Sequence, residues 1–549
     1  MNRRGFLSSV AAGWLVHAAS PGRPPLAGEI VGAAHGAGHL LRGGARRASA
    51  MTASGPPERA DVVIVGGGVS GLSAAWRLAD AGLDLRVLEL EPRPGGTSAW
   101  GEDGVVPYPW GAHYLAAPNV EARATLRLLD QMGVVTGWDA AGRPVFDPRR
   151  LCHAPGERLF YEGAWHAGLA PVAALPDDAL EELERFHALE EDLTELTGRD
   201  GRAAFQIPLA RSSRDPELLE LDRISMAAWL DREGYRTPFL RWYVRYAMLD
   251  DFGGEPEEIS AWAGLHYFAG RKVRTPELAG SHYLIWPEGN GRLVKALLER
   301  AAPRVSLGAL VTSVRPLPAG GVEVGYIDVQ RGEARRVEAR AAILAAPAFV
   351  ARRIFAGSAA GELPERTTSA WLVANLHVER PLDPNHAWDS VLYGANGLGY
   401  VDARHQLTDL AAATTQRSRL ATPMQRTVLT YYRAYGGPDV AAARAALLGA
   451  PWASIADGVL RDLAPAHPHL RDDVARMDVM IWGHAMPRPR PGFLGARPFD
   501  PPCALSERVA WAHVDQAGMA LFEEAQACGV RAAETIAAAL GIALGESWL

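Results

Sequence analysis

Lysine is nearly missing from this chain: of 56 basic side chains only Lys272 and Lys295 are lysines, and the rest are arginine. Chemistry that depends on a lysine amine therefore has just two places to come from. Cysteine is also scarce. Cys152, Cys503 and Cys528 are an odd number, which excludes a disulfide framework, and their spacings match no zinc pattern, so they read as small buried residues. No stretch approaches the roughly 20 consecutive apolar residues that a membrane-spanning helix needs. Basic charge is not in excess either: a net charge of −7 argues against a nucleic-acid partner. What is present is a globular composition of 549 residues, 48% apolar and 22% charged, with 57 Gly and 39 Pro. At about 150 residues per domain this is room for two large domains or several small ones.

The first residues read as an address. Met1-Asn2-Arg3-Arg4-Gly5-Phe6-Leu7 leads into a moderately apolar stretch to Ala19 and then Pro21. A basic head, a short apolar core and small residues are the parts of a secretory signal, and the adjacent arginines resemble the twin-arginine export signal of bacteria. Residues 1–20 are thus expected to engage the twin-arginine export machinery and to make the protein periplasmic. Ala18-Ala19-Ser20 and Ala48-Ser49-Ala50 are alternative cleavage points. Residues 21–59 read as an extension or linker. Within it His35 and His39 have the i,i+4 spacing of a helical metal site, but the surrounding glycines make a poor helix and no carboxylate pair follows. We expect no metal there, only a peptide lying on the body.

Asp61-Val62-Val63-Ile64-Val65 is a mostly β-branched run that reads as a buried parallel strand. It enters Gly66-Gly67-Gly68-Val69-Ser70-Gly71, followed by an amphipathic helix to Ala81 and a second strand, Leu85-Arg86-Val87-Leu88, ending in Glu89. Gly66 permits the tight turn, Gly68 lets backbone approach a pyrophosphate, and Gly71 lets helix pack on strand. Val69 and Ser70 open the helix, whose free N–H groups face the phosphates. Glu89, 18 residues after Gly71, stands at the spacing of an acid that takes ribose hydroxyls. A strand, glycine turn, helix, strand and acid together specify dinucleotide binding; they do not choose between FAD and NAD.

The residues that follow make that choice. Glu91-Pro92-Arg93-Pro94-Gly95-Gly96-Thr97 adds a second glycine pair six residues after Glu89, in a loop containing Arg93. Here the chain resembles the flavin-containing amine oxidase and phytoene desaturase superfamily, in which an acid, six residues and Gly-Gly are commonly followed by Arg; Thr97 stands in place of that Arg. The resemblance continues through Trp110-Gly111-Ala112-His113-Tyr114, similar to the segment that runs past the flavin. It extends through Pro287-Glu288-Gly289-Asn290-Gly291, and through Leu310 to Val314, where backbone near Val311 would meet the adenine. Ala341 to Pro347, with Ala346 and Pro347 at its end, looks like a further family strand. Val509 to Asp515 leads past Met519 into a closing helix and resembles the last FAD motif.

This resemblance implies an α/β fold: a discontinuous Rossmann-like FAD-binding domain (60–150, 281–364 and 481–549) with an inserted α+β substrate domain (151–280 and 365–480). The inserts read as two helices, Asp177 to Thr197 and Ser225 to Glu233, and as antiparallel strands around Trp371 to Val378 and Thr427 to Tyr432. FAD is expected, held non-covalently, since no cysteine stands at the family's attachment spacing. The flavin itself performs the hydride step and the protein orients and shields it. Family amine oxidases often hold a water near N5 with a lysine on a strand before a proline; here Val373 or Asn375 stands near that place, before Pro381. His113, Trp482 and His484 are the catalytic candidates. Asp250 and Asp251, with Trp242, Tyr243 and Tyr246, could hold a cationic amine. Three readings follow for the small-molecule substrate: oxidation of an amine, possibly a polyamine; desaturation or isomerisation of an apolar molecule; or a flavoprotein that only carries electrons. The electron acceptor is open between oxygen, a quinone and a periplasmic carrier.

Overall fold

The structure, a computed structural model, describes residues 25–42, 55–104, 106–273, 283–380, 382, 387–405, 426–495 and 502–549. The twin-arginine motif and Pro381 lie outside these residues.

Val62 to Val65 are nearly devoid of solvent contact. The reason is that their strand, Glu58–Val65, is covered on both faces. Alternate side chains enter two separate cores: Val62 and Ile64 pack under the helices Val69–Leu78, Gly291–Ala301 and Phe522–Ala539, while Val63 and Val65 pack against Ala309–Pro316 and Val322–Asp328. Glu58–Val65 pairs in parallel with Leu85–Leu88 on one side and Glu333–Leu344 on the other. The rest of this eight-stranded sheet is Arg304–Ser306 at one edge and the antiparallel Ala309–Pro316 and Val322–Asp328 toward the other. Val509–Trp511, from the far end of the chain, pairs in parallel with the last residues of Glu333–Leu344 and carries the eighth strand, Ala504–Ser506, antiparallel beside it.

A second eight-stranded sheet runs Ile30–Gly32, Val474–Pro487, Thr368–Val378, Thr427–Tyr435, Gly399–Asp402, Asp389–Leu392, Glu157–Tyr161 and Ala164–Ala167. Its central pairs are antiparallel, with Val373 opposite both Tyr432 and Met480. Helices Asp177–Glu195, Met226–Arg232, Pro238–Phe252 and Ala261–Ala269 bury an aromatic-rich core that includes Phe186, Trp229, Phe252 and Trp262. The α/β class and the discontinuous nucleotide-binding sheet are as the sequence predicts.

Two features differ from the expected segmentation. Val474–Pro487 is one continuous strand, so a boundary at 480 falls inside it; it runs on to Pro487 because Thr368 and Ser369 still pair with its last residues. Residues 25–42 are also more than a linker, since Ile30–Gly32 forms the edge strand of the second sheet. His35 and His39 share only a four-residue helix followed by a 3-10 turn, and no metal cluster exists among the described residues.

Candidate active site

One cavity of about 850 Å³ is lined by residues of both sheets. At one end stands the glycine turn. Gly66 has φ +106°, and a Cβ there would collide with the Ala345 carbonyl. A Cβ on Gly71 would strike the Gly66 carbonyl, so this glycine is required by helix-on-strand packing and does not itself reach the cavity wall. Beyond the Cα of Gly68 the space is open. Glu89 accepts the Gly67 N–H at 2.6 Å and the Glu91 N–H at 2.7 Å, which ties the acid to the turn; burial pushes its carboxyl up.

One buried oxygen on the cavity wall, Asn290 Oδ1, lacks a protein partner. A ligand rich in hydroxyls would satisfy it. Asp515 accepts the Ala348 N–H through Oδ2 at 2.8 Å and stands behind that wall. Together with the open glycine turn and the ten-residue helix behind it, Val69–Leu78, the Asn290 oxygen fits a dinucleotide.

The predicted cofactor residues divide into two groups. Gly66, Gly68, Val69, Ser70, Glu89, Gly95, Gly96 and Thr97 line the cavity, and so do Gly111, Ala112, His113, Val311, Ala346 and Pro347. Arg93, Trp110, Asp515 and Met519 do not line it. Arg93 turns outward to the Trp100 carbonyl at 2.8 Å. Trp110 is buried against Tyr108 and offers only its carbonyl, which accepts the Trp482 indole N–H at 2.6 Å. Met519 is fully buried in the core of the inserted domain.

At the other end the wall is aromatic. His113 lies 4.8 Å from Tyr432, 5.4 Å from Tyr114 and 5.7 Å from Trp388, centroid to centroid. Burial pulls its imidazole down to about 4, so it is neutral at pH 7. Its Nδ1 sits 3.2 Å from the Gly111 carbonyl, which can only accept, so Nδ1 carries the hydrogen. Nε2 is left with a lone pair and no partner among the described residues.

His484 is engaged by a side chain instead. The Thr368 hydroxyl accepts from Arg444 Nη2 at 3.2 Å and lies 2.8 Å from His484 Nδ1, within hydrogen-bond reach of it. Burial, then Arg444, Arg42 and His39, lower this imidazole to about 4. His484 is therefore neutral at pH 7, and its Nδ1 is already engaged by Thr368. Trp482, tied to Trp110, lines the cavity beside Trp371, its cross-strand partner. The register places Val373 on the cavity wall, while Asn375 is buried between Thr430 and the Pro109 carbonyl. Leu521 and Phe522 are also wall residues.

Acids collect at this end. Asp250 and Asp251 both line the cavity. Asp251 pairs with Arg271 at 2.6 Å. Asp250 accepts from the Tyr114 hydroxyl at 3.3 Å, and burial, then the Asp251 charge, raise its carboxyl to about 7. Behind the wall, Asp389 accepts from Tyr432 at 2.9 Å and is pushed well up by burial and by Glu157, and burial raises Glu157 itself to about 7. Among the described residues Asp250, Asp389 and Glu157 form no ion pair. Tyr432, Trp388, Asp389 and Glu157 are not legible as site residues in the sequence, because no local motif marks them. Only sheet pairing assembles them.

The flavin containing amine oxidoreductase family model matches residues 69–537. The chain is 26% identical to the flavin-containing amine oxidase A of Canis lupus familiaris over 258 residues, 46% of this chain and 44% of that protein. It is 27% identical to a flavin-containing monoamine oxidase of Mycobacterium tuberculosis over 294 residues, 51% of this chain and 59% of the relative. The matches thus span about half the length of these curated relatives. In fold, a putrescine oxidase solved with putrescine bound superposes with a TM-score of 0.61 at 17% identity, over 88% of this chain and all of the other. With a family match running from the glycine turn to the closing helix and a cavity that fits FAD at one end, the chain belongs to the flavin containing amine oxidoreductases.

Proposed function

We propose that the protein oxidises an amine bearing a second cationic nitrogen, a diamine or polyamine, at the aromatic end of the cavity. When bound, the flavin supplies a hydride acceptor at N5; the residues of this chain supply the rest. The observation that carries the reading is a set of three carboxyls that form no ion pair among the described residues and that loss of water pushes up, Asp250, Asp389 and Glu157, next to and behind a wall of tyrosine and tryptophan. Uncompensated buried carboxylates are costly, and an alkylammonium over aromatic faces compensates them. The reacting nitrogen, by contrast, must be uncharged to give up a hydride. His113 orients that nitrogen, since its Nε2 lone pair accepts an amine N–H. Val373 leaves no lysine at the wall, so orientation falls to His113.

A second reading, an apolar substrate undergoing desaturation or isomerisation, is favoured by Val373, Leu521 and Phe522 on the same wall. Anaerobic mixing with a panel of diamines, monoamines and apolar alkenes separates the two. Bleaching of the flavin by diamines in preference to monoamines of equal length supports the proposal. Bleaching only by apolar substrates overturns it, and no bleaching by any of them supports the electron-carrier reading instead. In the same proposal the Arg3-Arg4 signal makes the reaction periplasmic, with oxygen, a quinone or a periplasmic carrier accepting the electrons.

A further inference from the structure

We propose that residues 27–42 form a strap that closes over the bound nucleotide, and that His39 and Arg42 on it, with Arg353 and Arg444 on the facing rim, make an anion site for the cofactor's diphosphate. The strap is anchored in both halves of the molecule. At its start the Ala27 and Glu29 carbonyls accept the Met477 and Val479 N–H groups, each at 2.9 Å, and Glu29 pairs with Arg476 at 2.8 Å. Ile30–Gly32 then extends the second sheet along Val474–Pro487. The chain crosses to the nucleotide-binding sheet, where the Ala34 N–H donates to both oxygens of Glu91 at 2.9 Å. Leu41 plugs, at 8% exposure, into the core that holds Val65 and Leu88, the residues immediately before the glycine turn and the ribose acid. Residues between these anchors line the cavity together with Gly66, Gly68 and Glu89.

Three arginines crowd this rim. Arg42, Arg353 and Arg444 line the cavity beside the His39 and His484 imidazoles, and among the described residues none of the three forms an ion pair; the acids on this stretch of wall, Glu89 and Glu91, accept from the backbone N–H groups of Gly67, Glu91 and Ala34. Arg444 donates to the Gly483 and Thr368 carbonyls, and Arg353 donates to the Phe349 carbonyl at 2.6 Å with its guanidinium 5.9 Å from the Phe349 ring. That ring in turn packs 4.5 Å from His484. Like charges held together without a counter-ion repel one another; here Arg42 and Arg444 both oppose protonation of His484. An anion relieves this. Two sources carry the needed chemistry, the nucleotide's phosphates and a substrate carboxylate. The strap favours the first, because it touches the Glu89–Glu91 segment and not the wall of Tyr114 and Asp250 at the cavity's other end. The glycine turn contributes backbone N–H groups but no formal charge, and Thr97 adds none.

The test reads flavin release from the purified holoenzyme as recovery of free-flavin fluorescence, and needs no amine substrate. Arg42 is exposed, so Arg42→Ser leaves folding intact. Loss of charge-assisted contacts to a phosphate predicts release faster by about tenfold to a hundredfold, a weaker dependence on salt, and recovery of most of the hold in Arg42→Lys. Riboflavin, which has no phosphate, is expected to bind the flavin-free Arg42→Ser and parent proteins equally. Leu41→Ser, which loosens the strap but keeps the cations, is expected to speed FAD release while leaving its salt dependence in place. Equal FAD release in parent and Arg42→Ser overturns the proposal. So does a raised amine KM with unchanged FAD release, which would assign the cations to a substrate carboxylate.

Discussion

Replacing Asp250 by Asn tests the acid end of the cavity through both stability and binding. In the substrate-free protein, burial and the neighbouring Asp251 charge raise the Asp250 carboxyl from 3.8 to about 7. A raised carboxyl means that the folded state holds its proton more tightly than the unfolded chain does. Stability from this group is therefore full below about pH 4 and is lost progressively as pH rises toward 7, where the charge must exist inside the fold. About three units at 1.36 kcal/mol each give about 4 kcal/mol. The exposed part of Asp250 faces cavity water, which screens the charge, so we halve this to about 2 kcal/mol. For a chain of this size, with an unfolding entropy of about 1 kcal/mol per kelvin, that is about 2 °C. Asp250→Asn should melt level with the parent near pH 4 and about 2 °C higher at pH 8, while its affinity for a diamine, read from the flavin spectrum, falls about 100-fold. A melting difference that does not change with pH, together with undiminished diamine binding, would refute the reasoning.

Four further outcomes are expected. Diamine binding should tighten as pH rises from about 6 to 8, because Asp250 and Glu157, both near 7, become charged over that range; isothermal titration at several pH values checks this. His113→Phe keeps the aromatic wall and loses the Nε2 acceptor, so kcat/KM for amines should fall about tenfold with flavin content unchanged, as measured by stopped-flow reduction. Gly71→Val forces the helix off its strand, and the purified protein should lose its yellow colour while its far-UV circular dichroism persists. If the chain is exported as we propose and keeps its strap, N-terminal sequencing of the mature protein should find a start before Ala27, consistent with cleavage near Ala19 and not after Ala50.

The nucleotide half of the site is legible in the sequence because it is local. A buried strand, Gly66 to Gly71 and Glu89 lie within 32 residues, and each glycine has a steric task that no other residue performs. Backbone hydrogen bonding and helix packing then leave one arrangement open to them. The class of fold and the discontinuous cofactor sheet follow from the order of such local motifs. The substrate half is different. His113 precedes and Tyr114 opens the short strand Tyr114–Ala116, Asp250 lies in the last turn of a helix, Trp388 precedes and Asp389 opens the strand Asp389–Leu392, and Tyr432 sits mid-strand; nothing in the period of any one segment makes these neighbours meet. Their meeting depends on sheet register, which sets Val373 opposite Tyr432 and turns Asn375 into the core. The strap was hidden for the same reason. Glycine-rich residues 28–42 have little preference for regular structure, and their strand exists only because Val474–Pro487 offers a free edge. Local sterics were written into the chain itself, whereas burial of charge, and with it the altered proton affinities of Asp250, Asp389 and His113, arises only when distant segments exclude water together.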